Sequence, residues 1–439
     1  MRLAVLDPGH FHAALVQKTM LPGIEPDVRV YAPEGPDLDD YLRKVEAFNA
    51  RADKPTRWRM KTHASDGFLE RLVADKGCDV VVIAGNNRRK TEYLTRAVEA
   101  GIHTLADKPM AIDAAGFAAL EIAFAIAARR NVLLYDIMTE RYEITSILQR
   151  EFASIPSVFG DLDPGTADDP SVTKESVHHF SKVVAGAALK RPGWFFDTAQ
   201  QGEGLVDITT HLVDLIQWSC FPGAVLDYRR DVRVLRAKRW PTELSPEQFT
   251  AVTQLAPWPE YLRKDVAPDG QLHVFANGRI DYVLRGVHAR VSVLWNFEAP
   301  PGAGDTHFSQ MRGTRASLVI RQGEEQRFVP TLYLVPHATT STVAWDAALQ
   351  EAFPQMQARF PGIGLARAER GYEVTLPAHY HVGHEAHFGQ VTEQFLRHVA
   401  DGALPRWEVP NMLAKYYTTT QALAMALRAP PSQAVPPRG

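Results

Sequence analysis

The chain has little of what marks several large classes of protein. Two cysteines in 439 residues, Cys78 and Cys220, are too few for a disulfide framework or a zinc motif. Both lie in apolar segments and read as buried thiols of a chain kept in a reducing compartment. No apolar run approaches the roughly 18 residues a membrane span needs. The N-terminus runs straight into a strand, 3–6, with no charged leader before it. Net charge is −3 and the only short basic run is Arg88-Arg89-Lys90, which argues against nucleic acid or an anionic membrane as partner. Repeats and low-complexity segments are absent, apart from a proline-bearing tail, 430–439, that is expected to be disordered. The expectation is a soluble, cytoplasmic chain, and its 45% hydrophobic content is enough for two or three cores.

What is present is a strong alternation. Over 1–135, strands at 3–6, 28–31, 79–84, 103–106 and 132–135 alternate with helices at 13–20, 39–50, 68–76, 90–100 and 114–129. Such alternation predicts an α/β fold with a doubly wound parallel sheet, whose ligands bind at the carboxyl ends of the strands. A boundary near 136–142 divides this domain, 1–138, from a second α/β domain, 139–429. There, strands at 158–162, 176–182, 226–234, 271–276, 280–283, 287–295, 316–321 and 332–336 predict a large, mostly antiparallel open sheet. Asn277-Gly278 reads as a hairpin turn within it. Helices at 384–400 and 410–427 close the chain.

The loops after the strands carry the chemistry. Asp7-Pro8-Gly9-His10-Phe11-His12 fits only the central position of G-x-G-x-x-G, at Gly9, where backbone must approach a pyrophosphate closely. His10 and His12 either donate to a phosphate or pack the turn. Glu34, after the second strand, can accept from a ribose 2′-hydroxyl and repels a 2′-phosphate, which predicts NAD rather than NADP. Asp107-Lys108-Pro109 ends a buried strand and projects an ammonium into the ligand crevice; the alternative is a local Lys108–Asp107 pair. Finally, 202–218 reads as a helix opened by a glycine turn. Asp207 and His211 stand there at i,i+4 with Asp214 a further turn along, the spacing of a general base and its orienting partner.

Together, Ala84-Gly85-Asn86-Asn87, Asp107-Lys108-Pro109 and Gly202-x-Gly204-x-x-Asp207-x-x-x-His211-x-x-Asp214 resemble the glucose-fructose oxidoreductase/inositol dehydrogenase (Gfo/Idh/MocA) family. Departures are the degraded glycine motif, Gly85-Asn86 for Thr-Pro, Asp107 for Glu and Thr209 for the usual Gly. The resemblance implies a Rossmann domain joined to a domain whose open sheet faces substrate and often forms a homo-oligomer interface. It also implies NAD or NADP as cofactor, a sugar, cyclitol or polyol as the small-molecule substrate, and catalysis by Lys108, Asp207 and His211. The cofactor would lie against Gly9, His10, Phe11, His12, Glu34, Asn86, Asn87, Asp107 and Lys108.

For oxidation, His211 is expected to take the hydroxyl proton, Lys108 to stabilise the alkoxide, and Asp207 to orient and charge-balance His211. Glu140, Arg141 and Tyr142 are expected at the substrate mouth, with His178, Lys182 and Trp194 beside Asp207 and His211. Strand alternation puts His178 and Lys182 on one face and His179 on the other. Trp194 is either core or a sugar platform. No metal is expected; if one binds, His381, His384 and His387 have ligand-like spacing, the alternative being a hydrogen-bonded helix start. Two other functions stay open. One is redox-neutral glycoside cleavage, with Glu175, His178, His179 and the 379–387 cluster as further acid/base groups and the segments 236–270 and 336–372 as covers. The other is a nucleotide-binding protein without turnover.

Overall fold

The computed structural model describes residues 1–184 and 187–430, so the tail from 431 onward, expected to be disordered, lies outside the described residues. Six strands, β1 (Leu3–Leu6), β2 (Asp27–Ala32), β3 (Arg59–Ala64), β4 (Val80–Ile83), β5 (His103–Ala106) and β6 (Leu134–Asp136), form a parallel sheet in the order β3-β2-β1-β4-β5-β6. Helices α1 (His12–Val16), α2 (Pro36–Ala50), α3 (Phe68–Asp75), α4 (Lys90–Glu99) and α5 (Ala114–Arg130) connect them. Strand order reverses between β1 and β4, which opens a crevice at the carboxyl ends of these two strands.

Local chemistry explains most of these elements. The all-buried run Val-Val-Val-Ile makes β4 a central strand. Asp113 caps α5 by accepting from the Gly116 amide, and Asn131 ends it at φ 54°. The strand β3 was not legible in the sequence because it is an edge strand with a mostly exposed, polar surface and no apolar alternation. Helix α1 stops at Val16, four residues short of the expected end.

The next elements are α6 (Ile144–Ala153), β7 (Val172–Ser181), the small pair β8 (Val183–Val184) and β9 (Ala187–Ala188), α7 (Thr198–Gln201), α8 (Thr209–Cys220), α9 (Tyr228–Asp231), β10 (Val232–Leu244) and α10 (Pro246–Thr253). Then come β11 (Leu272–Leu284), β12 (Val287–Glu298), β13 (Thr306–Arg312), β14 (Ala316–Gln322), β15 (Thr331–Pro336), α11 (Thr342–Arg359), β16 (Gly364–Arg367), β17 (Tyr372–Thr375), α12 (His384–Asp401) and α13 (Glu408–Ala426). Nine strands form a second sheet, β10-β11-β12-β7-β13-β14-β15-β17-β16, antiparallel except where β12 meets β7. None of the described helices is long and apolar enough to cross a membrane.

Three expectations for this half are corrected. Asn277-Gly278 is not a turn but the interior of β11: Asn277 Oδ1 accepts from the Trp295 amide at 2.6 Å and its Nδ2 donates to Thr242, tying three strands together. The two-residue turn is Arg285-Gly286, both at positive φ. Residues 158–162 form no strand, Leu162 making a single bridge to Gly313. Residues 228–231 are helix α9, capped by Asp227, and β10 begins only at Val232. The segments expected as covers are ordered structure: 236–270 holds most of β10 and all of α10, and 336–372 holds α11 and β16.

One apolar core runs from the parallel sheet through α8, α12 and α13 to the second sheet. A separate cluster, rich in aromatic rings, includes Phe180, Trp194, Phe195, Phe196, Phe249 and Trp295. It supplies the apolar wall of the crevice.

Candidate active site

Three segments deliver the polar groups of the crevice. The turn after β1 carries Gly9, His10 and His12; the end of β5 carries Asp107 and Lys108; and the segment from α7 into α8 carries Gln201, Asp207 and His211. Gly204 lets this last segment lie on β11, since a Cβ there would stand 2.0 Å from the Ala276 carbonyl oxygen.

Lys108 Nζ donates to Asp207 Oδ1 at 2.6 Å, with each side chain only 6% exposed. Gln201 Nε2 donates to Asp207 Oδ2 at 3.1 Å. Asp207 is therefore held by Lys108 and Gln201, and among the described residues no hydrogen bond joins it to His211. The expected orienting role is corrected for a local reason: α8 begins at Thr209, so Asp207 sits in the preceding turn and the i,i+4 register does not hold. His211 is buried and its Nδ1 has no partner. Burial, then the nearby Lys108 ammonium, push its pKa down to about 3, so the imidazole is neutral at ordinary pH. Gln201 Oε1 and Asn87 Oδ1 are likewise buried and unpartnered. Each such atom costs about 1–3 kcal/mol unless something satisfies it, so three of them around one crevice mark a place built for a ligand. Beside Asp207 and Gln201 lies a small pocket walled by Phe180, Phe195 and Trp295.

The nucleotide side is set by Gly9. A Cβ there would lie 3.1 Å from Asp37 Oδ2 and 3.3 Å from Trp194 Cζ2, so glycine lets these two side chains pack closely against the turn. Trp194 is not among the residues lining that pocket: its indole N–H donates to Asp37 Oδ2 on α2 at 2.7 Å, bringing the aromatic cluster onto the Gly9 turn. Asp7, at φ 49°, and Asp37 are two carboxyls near this turn. Burial first, then Asp37, push Asp7 up to about 6; burial also raises Asp37. Both shifts favour the uncharged form where an anion would approach. Glu34 is exposed just beyond β2. Asn86 and Asn87 fasten the β4 loop to α7: Asn86 Nδ2 donates to Gln200 Oε1 at 2.6 Å and Asn87 Nδ2 to the Gln201 carbonyl at 2.7 Å. His10, Phe11 and His12 stack edge to face or tilted on one another, and both imidazoles turn Nδ1 to Asp107, at 3.4 Å from His10 and 2.9 Å from His12. The exposed Glu34 carboxylate and the orphaned Asn87 Oδ1 fit a dinucleotide such as NAD.

Several expected substrate residues are elsewhere. Arg141 is buried in a salt-bridge network with Asp214, at 2.6 and 2.7 Å, and Glu408, at 3.0 Å. Asp214 also receives Lys415 Nζ at 2.8 Å, so its oxygens are taken by two cations of the network. Tyr142 is raised to about 12 by burial, among Arg141, Glu408, Arg397 and Glu393. Glu140 does reach the site. Burial would raise its carboxyl, but the hydrogen bond with His384 at 3.2 Å outweighs burial and lowers it. His178 and His179 do not part as strand alternation predicts. At the end of β7 both turn Nδ1 to Asp305, at 3.3 and 2.9 Å, and Lys182 Nζ joins at 2.9 Å. Asp305 and Gln201 were missed, since no periodicity or motif marks either position.

The histidines proposed as metal candidates form no three-donor group among the described residues, although the His384 and His387 rings lie 6.1 Å apart. His381 is exposed, His384 pairs with Glu140 at 3.2 Å, and His387 is buried with Nδ1 unpartnered. Among the described residues, the group whose donor atoms lie within 4.8 Å of one another is His10, His12 and Asp107.

Comparison with known proteins places the chain. Residues 38–136 match the family model described as "Oxidoreductase family, NAD-binding Rossmann fold" (GFO_IDH_MocA), and residues 148–427 match "Putative oxidoreductase C terminal domain". The chain belongs to the Gfo/Idh/MocA oxidoreductase family. A solved structure of a "putative oxidoreductase" from Parabacteroides merdae is 51% identical over 97% of both chains, with a TM-score of 0.95. Two other Gfo/Idh/MocA-like structures share the fold. Levoglucosan dehydrogenase in complex with NADH and L-sorbose is 13% identical, covering 98% of this chain and 97% of that one, at TM-score 0.61. GenD2 from gentamicin A biosynthesis in complex with NAD is 15% identical, covering 97% and 94%, at 0.58. No curated protein matches the sequence. Family membership makes the first sheet an NAD-binding Rossmann domain.

Proposed function

We propose that this chain is an NAD-dependent oxidoreductase acting on a CH–OH carbon of a sugar, cyclitol or related polyol. The observation that carries the reading is the buried Lys108–Asp207 pair, 2.6 Å long, beside the unpartnered Nδ1 of His211. When bound, NAD supplies the hydride acceptor or donor. Lys108 donates to the substrate oxygen and stabilises negative charge developing there, while Asp207, itself held by Gln201, keeps the ammonium in place. His211, kept neutral by burial, takes the hydroxyl proton in oxidation and returns it in reduction. The Gly9 turn faces the pyrophosphate, and Glu34 accepts from the ribose 2′-hydroxyl and disfavours NADP. Phe180, Phe195 and Trp295 offer the apolar face that sugars need beside their hydrogen bonds. A domain division at 138/139, with assembly into a homo-oligomer through the open sheet, completes the reading.

The test is stoichiometric. Enzyme, excess NAD and a panel of polyols and glycosides are incubated, and reduced cofactor is followed beside sugar products. NADH accumulating mole for mole with oxidised sugar is expected. A second reading, redox-neutral glycoside cleavage, draws on Asp305, which gathers His178, His179 and Lys182 into a further acid/base group. Aglycone release with catalytic NAD and no NADH build-up would replace the first reading with the second.

A further inference from the structure

The degraded glycine motif leaves two imidazoles and a carboxylate together at the carboxyl ends of β1 and β5. His12 Nδ1 lies 2.9 Å from Asp107 Oδ2 and 3.1 Å from Oδ1, and His10 Nδ1 lies 3.4 Å from Oδ2. All three donor atoms fall within 4.8 Å of one another. A tetrahedral site with metal–ligand bonds of about 2.0–2.1 Å has donor–donor edges of about 3.3 Å. The spacings to Asp107 bracket that edge, so an ion needs only small side-chain adjustments to seat.

We propose that His10, His12 and Asp107 form a three-ligand site for a divalent first-row transition-metal ion, with a coordination position left open. Two imidazoles and one carboxylate are the donor set that such ions prefer over Mg²⁺ or Ca²⁺, and three protein ligands are the mark of an open site. The surroundings fix two of the three ligands. Asp107 Oδ1 accepts from the Lys108 amide at 3.0 Å, which fixes the carboxylate. Phe11 and Phe388 pack on the His12 ring at 4.4 and 4.5 Å between centroids. The two nearby ammonium groups are engaged elsewhere: Lys108 on Asp207 at 2.6 Å, and Lys90 on the Asp107 carbonyl at 3.0 Å. The open position takes water or an oxygen of a bound ligand. This inference rests on the donor geometry and stands whether or not the redox reading holds.

The test measures binding by the full chain, without turnover. Protein stripped with chelator is titrated with Co(II), followed by visible absorption, and with Zn(II) and Mn(II) by calorimetry; protein as purified goes to elemental analysis. One ion per chain is expected. His10→Ala and Asp107→Asn should each weaken Co(II) and Zn(II) binding by about 100-fold or more, since even outer partners of metal ligands are worth about 10–100-fold. Melting of the metal-free variants checks that they fold, and His10→Ala, at a half-buried position, carries the test if Asp107→Asn does not. His381→Ala, at an exposed histidine outside the site, should bind as the parent does. No saturable binding of any of the three ions, or binding unchanged in a folded His10→Ala variant, overturns the proposal and leaves His10, His12 and Asp107 as a hydrogen-bonded turn.

Discussion

Asp207 and Asp214 stand two helical turns apart in sequence, both buried against cations, yet their surroundings differ in kind. Asp214 receives Arg141 through two bonds and Lys415 through a third; Arg141 continues to Glu408, and Lys415 to Asp136 at 2.7 Å. This network joins the end of β6, the turn after it, α8 and α13, and it leaves a single unpartnered oxygen, Asp136 Oδ1. Around Asp207, by contrast, one ammonium and one amide are placed while His211 Nδ1, Gln201 Oε1 and Asn87 Oδ1 lack partners. Buried charge that is nearly saturated by the chain itself holds elements together. Buried polarity left unsaturated is reserved for something the chain does not supply.

That contrast can be broken at four points. Asp214→Ala removes the carboxylate that Arg141 and Lys415 share and should cost about 3 kcal/mol of stability by urea unfolding, with NAD affinity of the folded fraction unchanged within a few-fold. A loss under about 1 kcal/mol would remove the network from the fold's support. Lys108→Met should show the opposite profile: turnover lower by about 100-fold or more, near 2.7 kcal/mol, with NAD affinity within a few-fold. Near-normal turnover would take Lys108 out of the mechanism.

The third point is Asp7, whose folded pKa of about 6 exceeds the ordinary carboxyl value of 3.8. A raised pKa means that the stability it contributes is full below about pH 4 and is lost as pH rises through about 6. Asp7→Asn keeps a residue that tolerates positive φ and cannot ionise. The variant should match the parent at low pH and exceed it by about 2 kcal/mol above pH 6, the linkage of that shift reduced for partial exposure to water. Parallel stability–pH curves would count against the shift. The smallest effect is expected at exposed Glu34. Glu34→Ala should weaken NAD by up to about tenfold and narrow its preference over NADP, and an unchanged cofactor ratio by titration would exclude Glu34 as the ribose ligand.

The sequence by itself determined the doubly wound sheet and the position of Lys108 at the end of β5, because apolar period and turn residues act locally. It misplaced what depends on partners distant in the chain. Asn277-Gly278 has the composition of a turn, but Trp295 and Thr242 hold it inside a strand. Arg141 has the composition of a substrate contact, but Glu408 and Asp214, far along the chain, take its guanidinium. The helical spacing of Asp207 and His211 implied a pair, while the start of α8 at Thr209 and the approach of Lys108 assigned Asp207 to the lysine. Likewise the histidine-rich stretch near 384 forms no three-donor group among the described residues, and His10, His12 and Asp107 were gathered from the segments that follow β1 and β5. Only the tertiary structure decided these, since a buried polar group goes to whichever partner the packing of other elements brings within about 3 Å, and local spacing carries no information about that choice.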